Sequence, residues 1–571
     1  MHKLLNQVFC ISILYFSLIP TGLNAGYVDK INNNSSFSDS LNLNLLTNEQ
    51  FDQFVNKKIS SMSLKDKIGQ LFILGFHGTK FTGKLKKRIN KFNPGSVIVY
   101  KRNIKSLKQI RRFNFKLQKD YLSKNHFPIF IMTDQEGGSV SRIKHKFTPP
   151  SALSIGQTNL PIFAKDYGLI TGKIMGLLGS NFNLAPVADL SNPYKKNFIG
   201  NRSFGNDPKK VLNFAQQFSQ GLLDTSVIPT FKHYPGHGGT INDSHRKLPK
   251  KLASYDELKD THFYPFKKIA ELQIPSAIKT AHISFPNIDY SGVPATYSKK
   301  LITDILRVKF GYKGLVITDD LRMAGASVNS AEHVGIRALA AINAGCDMLM
   351  LAWGYKKQDF AKRFLIKSVK NNTLDVTRID ESLRRILRFK YKYSMNIKSH
   401  LSTNKKLRTA FKELKLFSNE ISLKNFKASV KKQNMNRFKK PNSGYFNEIK
   451  SVSVFSAYRD FYKHLKLNSN YNYDFYQLTP KKTVSIESIL KNDPKRLGGF
   501  YVTGIGTSKI LNKLDIKTKK KILIVNTTYP GIIDLPSQYL DVININTTNH
   551  LSGKWTGKRI HNGNRFPATE H

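Results

Sequence analysis

The sequence predicts an α/β protein: a (β/α)8 TIM-like barrel followed by a smaller C-terminal α/β domain. Three observations lead there. Short apolar runs at 70–76, 96–101, 128–134, 182–188, 227–233, 276–284, 314–320 and 346–352 alternate with longer amphipathic stretches, such as 105–122, 208–223, 255–272 and 331–344. Several of those runs end in polar or ionisable residues, namely Asp134, Asp189, Lys232 with His233, His282 and Asp319. At 571 residues the chain is also too long for one ordinary core.

Taken in order, the elements support this reading. The chain begins with a weakly basic His2-Lys3, an apolar run over 8–19 broken by Pro20, and a small residue at Ala25. That is the anatomy of a signal peptide over 1–25, shorter than the roughly 20 residues of a membrane span. An exported chain, periplasmic or secreted, with no transmembrane span after cleavage is therefore expected. Cleavage there leaves Cys346 as the one remaining cysteine, a buried and inert thiol by expectation. An Asn- and Ser-rich linker covers 26–47. The barrel follows over 48–397, about eight strand–helix units in roughly 350 residues. It closes on a helix at 378–392 with Asp380 near its start. A charged stretch at 398–442 reads as an interdomain linker, and the runs 452–456, 498–503 and 521–526 read as strands of a second domain over 443–571.

Charge narrows the class of partner. Lys and Arg total 91 against 38 Asp and Glu, a formal net charge of +53. Such a surface attracts anionic polymers, including those of a cell wall. No compact Arg/Lys–aromatic motif points to nucleic acid.

Three segments carry chemistry. In FKHYPGHGGTINDSHRKLP, over 231–249, a strand delivers Lys232 and His233 into a glycine-rich loop. Asp243 and His245 stand two residues apart, a spacing that lets a carboxylate orient and charge an imidazole. A histidine titrating near neutrality can give a proton and take it back. Two other readings of this segment are a metal site made of His233, His237, Asp243 and His245, and a purely structural loop. In GLVITDDLRM, over 314–323, an apolar strand ends in two carboxylates. Alternation puts Asp319 and Asp320 on opposite sides, with Asp320 expected to cap the next helix. A carboxylate in the position of Asp319 can attack an anomeric carbon. In DQEGGSVSR, over 134–142, Asp134 and Arg142 flank a Gly-Gly turn and suit a sugar subsite, and NRSFGNDP adds Arg202.

Together these segments resemble the bacterial β-N-acetylglucosaminidases (β-N-acetylhexosaminidases) of glycoside hydrolase family 3, chiefly through KHYPGHGGTINDSH and ITDDL. The resemblance covers about 64–392. It implies Asp319 as catalytic nucleophile, His245 as acid/base and Asp243 as its partner. It further implies Asp134, Arg142, Arg202, Lys232 and His233 as substrate contacts, a mobile acid/base loop, covalent catalysis with retention, and no metal or other cofactor. The substrate it implies is a terminal β-linked N-acetylglucosamine on a carbohydrate such as a peptidoglycan fragment. The sequence departs from the family pattern at Ser139, Gly239 and Arg322. A β-glucosidase, a phosphorylase of the same fold and a non-catalytic wall-binding protein are the competing readings.

Overall fold

In the computed structural model the described residues run from 47 to 394, apart from 125–126, 144–147, 193–197, 240–247 and 328–332, and continue as isolated positions and six short strands between 409 and 544. The chain divides into two compact units, 1–54 and 55–571. Of the first, only the start of the helix Asn48–Ser60 is described. The expected signal peptide and nearly all of the linker lie outside the described residues. No helix among the described residues is long and apolar enough to cross a membrane.

Eight parallel strands form the barrel: β1 (Phe72–Gly75), β2 (Ser96–Ile98), β3 (Phe130–Thr133), β4 (Phe182–Asn183), β5 (Thr230–Tyr234), β6 (Ala277–Thr280), β7 (Leu315–Asp320) and β8 (Met348–Leu351). Hydrogen bonding runs β4-β3-β2-β1-β8-β7-β6-β5. The bridges Phe182↔Ile228 and Val187↔Lys232 close the ring between β4 and β5. Each apolar run of the sequence yields one strand. The runs are continuous because both faces of a parallel barrel sheet are covered, so alternation with polar residues is lost. Ile73, Ile131, Ile278, Ile317 and Leu349 are all fully buried.

The sequence over-read two elements. The run 182–188 gives only a two-residue strand, because Pro186 has no N–H to donate to the ladder. Pairing with β5 continues past it, since the Thr230 and Lys232 N–H groups donate to the Ala185 and Pro186 carbonyls at 2.8 and 3.2 Å and the Ala188 N–H donates to the Lys232 carbonyl at 2.7 Å. The stretch 255–272 forms two helices, Tyr255–Lys259 and Tyr264–Glu271. Ser254 and Glu257 make a capping box on the first, and Pro265 sits in the first turn of the second, where its missing N–H costs nothing. Side-chain caps open other helices, as with Ser106 before Leu107–Leu122 and Asp207 before Pro208–Leu223.

Beyond the barrel, six strands form a second sheet: β9 (Lys431–Lys432), β10 (Ser451–Ser456), β11 (Asn472–Gln477), β12 (Arg496–Val502), β13 (Ile522–Asn526) and β14 (Asp541–Asn544). Their order is β9-β14-β13-β12-β10-β11. Among the described strands of this sheet, the β9–β14 pair is antiparallel and the other pairs are parallel. Three of these strands were legible in the sequence; β9 lies inside the stretch read as linker.

The N-terminal face of the barrel is tied by one buried carboxylate. Asp347, just before β8, takes Arg307 at 2.5 Å and the Val316 N–H at 2.9 Å on Oδ2. Its Oδ1 takes Arg385 at 3.0 Å, Ser382 at 2.9 Å and Arg378 at 3.5 Å. This joins β7, the helical segment Lys300–Lys309 and the closing helix Val376–Ser394. Burial would raise this carboxyl, but the three guanidiniums outweigh it and hold it at about 2. Removing the carboxylate strands these arginines, so Asp347→Ala is expected to cost about 3–5 kcal/mol in denaturant unfolding. Because the folded pKa is depressed, the contribution is complete above about pH 4 and is lost as pH falls from there towards 2. An acid-unfolding midpoint no different in Asp347→Asn would contradict this.

Candidate active site

The C-terminal ends of the barrel strands deliver a connected set of ionic side chains to one rim. Lys232, on β5, is 1% exposed and lies 3.1 Å from Asp134 Oδ1 and 2.5 Å from Glu136 Oε1. Asp134 follows β3, and Glu136 lies in the short hairpin after it. Arg202 grips Glu136 with both ends of its fork, Nη2 to Oε1 at 2.8 Å and Nε to Oε2 at 2.9 Å. Arg142 reaches Asp134 at 3.5 Å. The five residues expected to contact substrate, Asp134, Arg142, Arg202, Lys232 and His233, therefore do come together. Glu136, not singled out in the sequence, is what ties two of them. Burial opposes ionisation of both carboxyls. Lys232, Lys279 and Arg142 nonetheless hold Asp134 below the usual carboxylate range, and Arg202 with Lys232 hold Glu136 at about 2.

His233 is oriented by Asp189, whose Oδ2 lies 2.6 Å from Nδ1 and accepts the His233 backbone N–H at 3.2 Å. Asp189 Oδ1 accepts the His237 backbone N–H at 2.6 Å. The Oδ2 contact puts the ring proton on Nδ1 and turns Nε2 towards Arg202 Nη2 at 3.5 Å. Burial first, then Lys279, Arg202 and Lys232, push His233 well below its usual 6.5, so it is a neutral acceptor at pH 7. Burial lifts Asp189 to about 6, against the two backbone N–H groups it accepts from. Asp189 was legible only as a polar strand end.

Asp319 lies at the end of β7, its side chain 17% exposed. Oδ2 meets Lys279 Nζ of β6 at 3.1 Å, and Oδ1 accepts the Asp320 N–H at 2.9 Å. Burial would raise the carboxyl; Lys279 outweighs it and holds Asp319 at about 2. Lys279 is itself raised, since Asp319 and Asp134 overcome its burial. Asp320 does point away from Asp319's partners, but it caps no helix. Its Oδ1 accepts the N–H groups of Arg322 at 3.2 Å and Ala352 at 3.3 Å, bracing two rim loops, and burial lifts it to about 6. His282 contacts the Asp320 carbonyl through Nε2 at 3.2 Å and Thr296 through Nδ1 at 2.9 Å. Burial brings it down to about 4, so it is neutral.

Asp243 and His245 fall in 240–247, outside the described residues. The start of their loop is described. Gly236 has φ 134°, and a Cβ at Gly238 would lie 1.7 Å from the Leu190 carbonyl oxygen, so neither site admits a side chain. His262 packs against both glycines, and Lys251 Nζ donates to the Gly238 carbonyl at 3.0 Å. Cys346 is buried, and burial pushes its thiol far up. Among the described residues, no group of three or more His, Cys, Asp or Glu side chains is arranged to hold a metal ion.

Carboxylates, cations and neutral imidazoles at a barrel rim can bind polyhydroxylated rings and supply a nucleophile. Comparison with known proteins agrees. A β-hexosaminidase of Photobacterium profundum is 37% identical over 259 residues, covering 45% of this chain and 74% of that protein. β-Hexosaminidase A of Pseudoalteromonas piscicida is 31% identical over 340 residues, 55% of this chain and 56% of that protein. A solved glycoside hydrolase family 3 β-N-acetylglucosaminidase from Paenibacillus sp. str. FPU-7 shares the fold, with TM-score 0.76 at 23% identity over 88% of this chain and 97% of that one. Residues 63–389 match the glycosyl hydrolase family 3 N-terminal domain. The chain therefore belongs to glycosyl hydrolase family 3 and is a glycoside hydrolase.

Proposed function

We propose that this chain is an exported, retaining exo-β-N-acetylglucosaminidase that removes terminal β-linked N-acetylglucosamine from glycans such as peptidoglycan fragments. The observation that carries the reading is Asp319: a carboxylate at the barrel rim, partly open to solvent and kept ionised by Lys279. The hexosaminidase names of its relatives support a hexosamine substrate, which the resemblance in the sequence narrows to N-acetylglucosamine.

In this reading an Asp319 oxygen attacks the anomeric carbon as the bond to the leaving oxygen breaks. His245, charged and oriented by Asp243, gives that oxygen its proton. The neutral imidazole then takes a proton from water, whose oxygen attacks the same carbon and frees the carboxylate. Two displacements restore the β configuration. Asp134, Arg142, Arg202, Lys232 and His233 hold the sugar hydroxyls, donors and acceptors being locked by their mutual bonds before substrate arrives.

Hydrolysis of an aryl β-N-acetylglucosaminide, followed by NMR of the released anomer, tests the core of this. Turnover with retention and without added phosphate is expected, and Asp319→Ala abolishes it. An inactive wild type, or a fully active Asp319→Ala, ends the reading; strict phosphate dependence makes the chain a phosphorylase. His245→Ala should cost about 10²–10⁴-fold on a substrate whose leaving group needs a proton.

Lys279→Met removes the charge that favours ionised Asp319. The folded pKa of Asp319 then rises, and the acidic limb of kcat/KM moves to higher pH by roughly one to three units. An acidic limb that stays in place disconnects Lys279 from the nucleophile. For export, the N-terminus of the secreted chain should be Gly26, and an intact Met1 on an exported chain would refute cleavage. The charge of +53 should make binding to isolated cell wall weaken between low and high salt, whereas salt-independent binding removes the electrostatic part.

A further inference from the structure

A run of alternating cations and aromatic rings leads from the ionic cluster out along the rim. Arg142, 3.5 Å from Asp134, lies 5.9 Å from the centroid of Tyr100. Arg102 lies 4.5 Å from the same ring and 3.4 Å from that of Trp353, and its Nη2 donates to the Ala352 carbonyl at 3.0 Å. Trp353 is edged by His77 at 5.9 Å, and His77 by Tyr355 at 5.3 Å. Arg142 follows β3 and its hairpin, and the other residues follow β1, β2 and β8; β8 is the neighbour of β7, which carries Asp319.

The two ends of the run differ in exposure. Tyr100 is half-buried, and its hydroxyl is raised by burial and by the negative charge of Asp134, Asp320 and Asp319. Trp353 is 41% exposed, an unusual surface for so large a ring. The guanidinium of Arg102 lies against the indole and is itself pinned to the backbone, so the ring is held in place. A fixed aromatic face binds without losing much rotamer entropy. It offers π-density to the slightly positive C–H groups on the apolar face of a pyranose, while adjoining guanidiniums can donate to ring hydroxyls.

We propose that Trp353, braced by Arg102, is the platform for the second sugar ring of the substrate, the pyranose that leaves. This rests on the exo-glycosidase reading above. The sugar whose bond is cut is enclosed by the ionic cluster, so its leaving partner lies on the way to solvent, and the alternating run ends there in an exposed indole. The enzyme would thus select β-linked N-acetylglucosamine that is attached to another sugar over the same sugar on a simple alcohol.

The chain has two tryptophans, Trp353 and Trp555, which makes the platform optically addressable. In the full-length Trp555→Phe protein, an uncleavable thio-linked disaccharide of N-acetylglucosamine should change Trp353 fluorescence saturably, and methyl β-N-acetylglucosaminide should change it far less. In parallel, the ratio of kcat/KM for the natural oxygen-linked disaccharide over the methyl glycoside is measured. Trp353→Ala should lower that ratio by roughly tenfold, and Trp353→Phe should retain most of it. An unchanged ratio in Trp353→Ala, or no fluorescence change in a chain that hydrolyses the disaccharide, overturns the platform. Should neither glycoside be turned over while the thio-disaccharide still shifts Trp353 fluorescence, the hydrolytic reading falls and the platform stands. Absence of both turnover and fluorescence change overturns both.

Discussion

A buried charge needs an opposite charge beside it, and the rim of this barrel is organised by that constraint. The chain as a whole is heavily cationic, yet within this cluster cations and carboxylates alternate. Arg142 meets Asp134, Asp134 meets Lys232, Lys232 meets Glu136, and Glu136 meets Arg202. Asp319 and Lys279 form the neighbouring pair. The pairing sets the protonation states. Asp319, Asp134 and Glu136 stay ionised despite burial, while His233, among several cations, stays neutral. A sugar entering this site meets charges and dipoles already fixed in direction, which is what stabilising developing charge requires.

The two ends of the barrel use ion pairs differently. At the N-terminal end, Asp347 is fully enclosed by arginines and by backbone, so it can do little beyond joining elements. At the C-terminal end Asp319 retains some exposure and only two described polar contacts. Closure of the parallel ring enforces this division, because it gathers all the C-terminal strand ends at one face and leaves the other to the helices' returning turns.

Much of this was readable beforehand. Eight apolar runs gave eight strands, since a sheet buried on both faces writes itself as continuous hydrophobic sequence. The polar ends of those runs marked the rim. What escaped has a physical reason in each case. Lys279 sits in AIKT, where one lysine in an apolar strand carries no motif, and only the register of β6 beside β7 brings it to Asp319. Glu136 has no local signal, because its partner Arg202 lies 66 residues on. Asp320 was expected as a helix cap, but the contact that matters is with Ala352 on the next strand's loop. The Arg102 and Trp353 stack is likewise long-range: Arg102 bonds a carbonyl 250 residues away. Pairings of this kind belong to the closed barrel and have no counterpart in local spacing.

Catalysis turns on the carboxylate at the end of β7 and its bond to sugar. The direct measurement is mass spectrometry of the protein after incubation with a slow-turnover, fluorinated N-acetylglucosaminyl donor. One added sugar mass is expected on the peptide that contains Asp319, released as activity returns and absent from Asp319→Asn. An adduct on a different side chain, or steady hydrolysis by a protein that never carries the sugar, would contradict it.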